Sequence, residues 1–177
     1  VLERLVDINS EKAITSWKGP EGNVHDFIFK DWSFEVKTTR SKKRIHSING
    51  LSQLDRQGKL DLAFISILIT EVDFDSINLT QAVKSIRSKL IDKPKLIQEF
   101  NSLLSNAGYS PIHDEEYSKY NVEIKSILIY HVNNEFPRIT AVNLKDVIND
   151  RIDNISYDIS LVGFNGKEFT QIGDYFY

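Results

Sequence analysis

"HDFIFKDWSFEVKTT", residues 25 to 39, alternates charged and aromatic residues and then turns basic. Alternation of period two is the mark of a half-buried strand. Lys30-Asp31 divides the segment into the two arms of a hairpin. With those two residues as the loop, Phe29 pairs with Trp32 and Asp26 falls opposite Glu35. Directly opposed residues share a face, with Cβ atoms ~5 Å apart. Lys37 lies two residues beyond Glu35 and joins the same face. The other face carries Phe27, Phe29, Phe34 and Val36, an apolar surface suited to a core. The register depends on the turn. Lys-Asp offers no glycine for positive φ, and a slip of one residue would put the two carboxylates on a diagonal or on opposite faces.

Like charges directly opposed in a sheet destabilise it. A neighbouring cation, a raised pKa or a bound metal must offset that cost. Carboxylates, backbone carbonyls and waters form an oxygen-only ligand set, which suits Mg²⁺, with Mn²⁺ as a substitute, rather than zinc. A charged strand face is also the ordinary form of a solvated one. Immediately after the strand comes a basic run, Arg40, Lys42, Lys43 and Arg44, with His46 beyond it. Cations there could hold a phosphate backbone; a solubilising turn has the same composition.

The rest of the chain sets bounds on these readings. Its 177 residues suffice for one domain with a core, and 41% hydrophobic with 27% charged residues is ordinary for a globular protein. A net charge of −3 argues against a generally basic protein, so any nucleic-acid binding must come from a local patch. There is no cysteine, which removes disulfides, thiolate zinc sites and cysteine nucleophiles together and fits a reducing, cytoplasmic setting. No apolar run approaches the ~18–20 residues of a membrane-spanning helix, and "VLERLVDINS" has no signal-peptide pattern. Methionine is absent altogether, so the chain reads as beginning inside a longer protein. A Gly-rich phosphate loop, a serine nucleophile elbow and a His-rich metal motif are all missing.

Outward from the hairpin, residues 1–15 read as the end of a helix and "KGPEGN" (18–23) as a loop. "NGLSQLDRQGK" (49–59) reads as a short helix stopped by Gly58, and "LDLAFISILIT" (60–70) as a strand buried on both faces. Helices are expected over 79–91, with Ala82, Val83, Ile86 and Leu90 in one stripe, and over 93–108, ending at Gly108. "HDEEYSKY" (113–120) reads as exposed, and residues 122–132, 138–144 and 155–163 as strands, the last two forming or extending a second sheet. His131 reads as a packed histidine, Tyr130 and Phe136 as core or sheet surface. Arg138 either approaches DNA or starts a strand. This order of elements gives a mixed α/β or α+β domain. It is read as a single domain over 1–177, with a core about 1–110 and a strand-rich extension about 111–177.

Asp26 followed by Glu35-Val36-Lys37 resembles the motif of the PD-(D/E)XK nuclease superfamily, an Asp at one strand start and acid-x-Lys on the next. More narrowly, "SWKGPEGNVHDF", "FEVKTT", "SQL" and "NEFPRI" resemble a bacterial family grouped with that superfamily and often encoded beside restriction–modification or phage-defence genes. The likeness runs from about Trp17 through Tyr157. It implies a restriction-endonuclease-like core, with a mixed central sheet flanked by helices and additional C-terminal strands. It also implies a magnesium-dependent endonuclease acting on DNA, working as a homodimer or with restriction–modification partners; the alternative is a non-catalytic DNA-binding or assembly subunit on the same fold. Carried over by residue, Asp26, Glu35 and the Val36 carbonyl would hold the metal, and Lys37 would position the attacking water or stabilise phosphorane charge. Gln53 matches a glutamine aimed at the site in many superfamily members; otherwise it is an exposed polar residue. His25 and the run Arg40, Lys42, Lys43 and Arg44 would touch phosphate. Relatives carry Gly-Glu-Leu on the first helix, whose Glu can complete the metal shell; here either Glu3 substitutes or that segment precedes Val1.

Overall fold

The structure, a computed structural model, describes residues 1–145, 152 and 154–176. Along the chain run α1 (Leu2–Ile8), α2 (Ser10–Ser16), β1 (Phe27–Ile28), β2 (Trp32–Thr39), β3 (Ile45–Asn49), β4 (Asp61–Val72), α3 (Leu79–Lys89), α4 (Pro94–Asn106), α5 (Asp114–Ser118), β5 (Asn121–His131), α6 (Ala141–Leu144), β6 (Ser156–Ser160), β7 (Lys167–Glu168) and α7 (Gly173–Phe176). They fall into two units, each built from two stretches of chain: Val1–Asn23 with Thr70–Glu123, and Val24–Ile69 with Ile124–Tyr177.

The first unit is helical. The single helix expected over 1–15 is two, because Asn9 takes an extended backbone, φ −157°, and its Oδ1 accepts the Lys12 N–H at 3.0 Å. That side chain satisfies one of the orphan donors at the start of α2. Asn78 caps α3 in the same way through the Gln81 N–H, and α4 opens on Pro94, which has no N–H to orphan. Helices α1 to α4 turn their apolar stripes inward: Leu5 and Val6, Ala13 and Ile14, Val83 and Ile86, Phe100, Leu103 and Leu104 are buried. At Gly108 the chain adopts φ +85°, which closes α4 as its sequence suggested. The charges stay at the surface, where Lys89 joins Glu3 at 3.1 Å and Asp7 at 2.8 Å.

The second unit holds a five-stranded sheet in the order β1-β2-β4-β5-β7. β1 and β2 are antiparallel, β2 and β4 parallel, β5 and β7 antiparallel. Just past β5, the Val132 N–H donates to the Leu62 carbonyl at 2.8 Å. In β4, Leu62, Ala63, Phe64 and Ile65 are all fully buried, so side chains of both parities are covered, as its continuous apolar run requires. Leu62 and Phe64 join a core with Ile48, Leu54, Tyr130, Val132, Phe136, Ile159 and Leu161. Burying each such large side chain contributes roughly 1.5–3 kcal/mol. Ile48 comes from β3 and Ile159 from β6, which pair antiparallel as a second, two-stranded sheet.

The mixed α/β class expected from the resemblance is the class observed. Two further local readings differ. Residues 50–60 form bends and turns, not a helix, because Gly50 (φ +89°) and Gly58 (φ +62°) both adopt left-handed backbone. Residues 138–144 are not a strand: Thr140 opens α6 with a capping box, accepting from the Asn143 backbone while Asn143 accepts from its own. Residues 113–120 are largely exposed, as read, and carry the short helix α5.

Candidate active site

The hairpin adopts the register that places the two carboxylates together. Phe27 pairs with Phe34 and Ile28 with Ser33, and the Phe29 N–H donates to the Trp32 carbonyl at 2.8 Å across the Lys30-Asp31 loop. Continued one step, that ladder sets Asp26 opposite Glu35. β1 begins only at Phe27, and just before it a side chain takes the place of the backbone: Asp26 Oδ2 accepts the Val36 N–H at 2.8 Å. This bond fixes the Asp26 carboxylate against β2. The N–H and carbonyl of a strand residue point to one edge, so the Val36 carbonyl is directed toward the same side as Asp26.

Glu35 is 3% exposed. Lys37 Nζ stands 3.1 Å from Glu35 Oε1 and 3.1 Å from Gln53 Oε1, and so bridges the two. Gln53 Oε1 also accepts the Asn49 N–H at 2.9 Å, which ties the lysine to the end of β3. Gln53 therefore belongs to this cluster, carried on a turn anchored by the fully buried Leu54 rather than on the expected helix.

Burial decides the electrostatics. It pushes the Glu35 carboxyl up to about 7; the adjacent Asp26 carboxylate adds to the shift, and the Lys37 ammonium opposes it without cancelling it. The Asp26 carboxyl is raised for the same first reason, against the stabilising Val36 N–H. A carboxyl held above its ordinary range beside a second carboxylate is under-compensated, and a divalent cation is one group that could offset the pair. The oxygens present, two carboxylates and one strand carbonyl, are the hard ligands that magnesium and manganese take. Among the described residues, no group of three or more His, Asp or Glu side chains stands together as a metal cluster, so waters or substrate oxygens would supply the rest of the shell. Glu3 sits in the helical unit, accepting from Ser85 Oγ at 2.5 Å and paired with Lys89.

The residues expected to touch phosphate are placed in three ways. Arg40, Lys42 and Lys43 are exposed on the turn after β2. Arg44 is turned inward: Nη1 donates to the Ser66 carbonyl at 3.0 Å and to Ser66 Oγ at 2.6 Å, and Nη2 to Ser126 Oγ at 2.5 Å. It clamps β3 to β4 and β5, at a backbone φ of +47°. His25 is 1% exposed, and neither ring nitrogen has a partner of good geometry; burial lowers its pKa, opposed by the nearby Gln53 and Ser52 backbone. His46 was read only as following the basic run, and Ser66 had no role in the sequence reading. His46 is buried with Nε2 2.8 Å from Ser66 Oγ, and burial, with Arg44 and Lys37 nearby, lowers its pKa to about 4. The alternation of Ile45 to Asn49 was the available signal, hidden because its inward positions are a histidine and an isoleucine. His131, expected to be packed, is 45% exposed in its side chain. Arg138 donates to the Leu54 carbonyl at 3.1 Å.

The family model described as "Putative PD-(D/E)XK family member, (DUF4420)" matches residues 1–162, and the chain belongs to that family. No curated protein and no solved structure matches it.

Proposed function

We propose that this member of the PD-(D/E)XK family is a magnesium-dependent phosphodiesterase that cuts DNA, an endonuclease of the restriction or defence type. The observation that carries the reading is the Asp26–Glu35 pair on one hairpin face, with Lys37 bridging Glu35 and Gln53. Asp26, Glu35 and the Val36 carbonyl would hold the cation. Bound there, it would polarise the scissile phosphate and lower the pKa of a water. The protein's own contribution is positioning. The Val36 N–H fixes Asp26, and Gln53 and Glu35 hold the Lys37 ammonium where it can orient a water or meet developing charge on phosphorus. A Glu35 carboxyl poised near neutrality would give up its proton as the cation binds. The exposed Arg40, Lys42 and Lys43 would hold the strand through its phosphates.

The test is Mn²⁺ calorimetry on the wild type, Asp26→Asn and Glu35→Gln near pH 7, in buffers of different ionisation enthalpy. Binding to the wild type with proton release, lost in both variants, is the expected result. A folded wild type that binds no Mn²⁺ sinks the reading. That outcome would favour the second one, a non-catalytic DNA-binding subunit on the same fold that uses the exposed Arg40, Lys42 and Lys43.

A further inference from the structure

A cavity opens in the sheet unit, where β2 begins and β5 ends. Its volume of about 690 Å³ lies within the roughly 300–1,000 Å³ of small-molecule sites. The lining has two zones. The inner zone is aromatic: Tyr130 and Phe136 are 4% exposed, and Tyr175 8%. Trp32 forms a wall, its ring perpendicular to Tyr175 at 4.8 Å and steeply inclined to His131 at 5.1 Å. At the mouth, Phe164 is 39% exposed, edge-on to Phe136 at 6.2 Å. The rim is polar and open, with Glu135, Asn165 and Lys167 all exposed.

The rim loop lies directly on the aromatic floor. A Cβ at Gly166 would stand 2.7 Å from Tyr130 Cζ, so only glycine lets the segment carrying Asn165 and Lys167 approach this closely. Asn165 and Lys167 are thereby held beside the ring walls. Trp32 lies three residues before Glu35 in β2, about 10 Å along the strand, and none of Asp26, Glu35, Lys37 and Gln53 lines the cavity. The cavity is therefore separate from the carboxylate pair.

Ring walls accept a flat aromatic ligand. An amide and a carboxylate on the rim offer both donors and acceptors to such a ring's edge, and the Lys167 ammonium suits an anionic group attached to it. We infer that this cavity binds a nucleotide, its base among Trp32, Phe136 and Phe164 and its phosphate at Lys167. The nucleotide is either free or one residue of a DNA strand. The inference does not depend on catalysis at Asp26 and Glu35.

The whole chain is titrated with deoxyadenosine 5′-monophosphate, deoxyadenosine and a single-stranded deoxyadenosine octamer, with tryptophan fluorescence as the readout. Trp17 is the only other tryptophan, so Trp17→Phe isolates Trp32. Saturable quenching by the monophosphate is expected, weakened about tenfold or more by Phe164→Ala, an exposed position whose loss leaves the core intact. Lys167→Ala should weaken the monophosphate while leaving deoxyadenosine unchanged. Tighter binding of the octamer than of the monophosphate marks a strand as the source; equal binding marks a free nucleotide. Glu35→Gln should bind like the wild type, so a failure of the metal reading leaves this result standing. No saturable binding of any probe up to millimolar concentration, or binding that Phe164→Ala leaves unchanged, overturns the inference.

Discussion

Two lysine–carboxylate clusters in this protein share a geometry and differ in outcome. In the helical unit, Lys89 stands 3.1 Å from Glu3; in the sheet unit, Lys37 stands 3.1 Å from Glu35. The first pair is about a third exposed, 32% and 40%, and the Glu3 carboxyl is held below its ordinary range, chiefly by the Ser85 hydroxyl and helped by Lys89. In the second, Glu35 has 4% of its side chain exposed, and its carboxyl is pushed up to about 7. An equal contact distance does not produce an equal interaction. Burial removes water from Glu35, the opposed Asp26 adds a like charge, and one ammonium does not make up for both. The surface cluster holds helices at small benefit; the buried one leaves the Glu35 carboxyl raised in spite of its lysine.

The largest expected difference is catalytic. Lys37→Ala should lower metal-dependent DNA cleavage by about 10³-fold or more, while Lys89→Ala cleaves like the wild type. Plasmid nicking assays on the two variants decide it, and equal loss in both would erase the contrast. The next effect is on stability and has a definite sign. Below pH 4.5 Glu35 is protonated whether folded or not, and contributes no difference. As pH rises from 4.5 to about 7, the unfolded chain releases a proton that the folded one keeps, so stability falls, and the full cost holds above pH 7. Glu35→Gln in chelator should match the wild type at pH 4 and exceed it by about 3 kcal/mol at pH 8. Thermal melts across that range measure it, and a constant offset between the two proteins would show that burial does not set the Glu35 charge. The smallest effect is Lys89→Ala, about 0–1 kcal/mol of stability and shrinking with added salt. A loss beyond ~2 kcal/mol would mean the surface cluster is not a solvated pair.

The hairpin shows how far local pattern reaches. Its period-two alternation and two-residue loop suggested a register with a slip left open, and the pairing of Phe27 with Phe34 is the one suggested. The buried β4 and helices α3 and α4 were equally legible, because apolar periodicity over ten or more residues leaves few alternatives. β3 was missed because one of its two inward residues is His46, which looks polar in sequence and becomes acceptable in the core only once Ser66 bonds it. Arg44 was grouped with its exposed neighbours Lys42 and Lys43, since nothing local distinguishes an arginine that reaches solvent from one that finds two serines on other strands.

By itself, the sequence determined which residues alternate and which segments must be buried, because these depend on neighbours within a few positions; the hairpin register it offered held only once the structure closed the Lys30-Asp31 loop. Only the tertiary structure decided that Gln53 meets Lys37 from a turn, that Arg44 clamps strands instead of facing solvent, and that Glu35 is buried deeply enough to hold its proton near neutrality. Each of these depends on groups far apart in the chain and on the water that their meeting removes, and neither is encoded in local spacing.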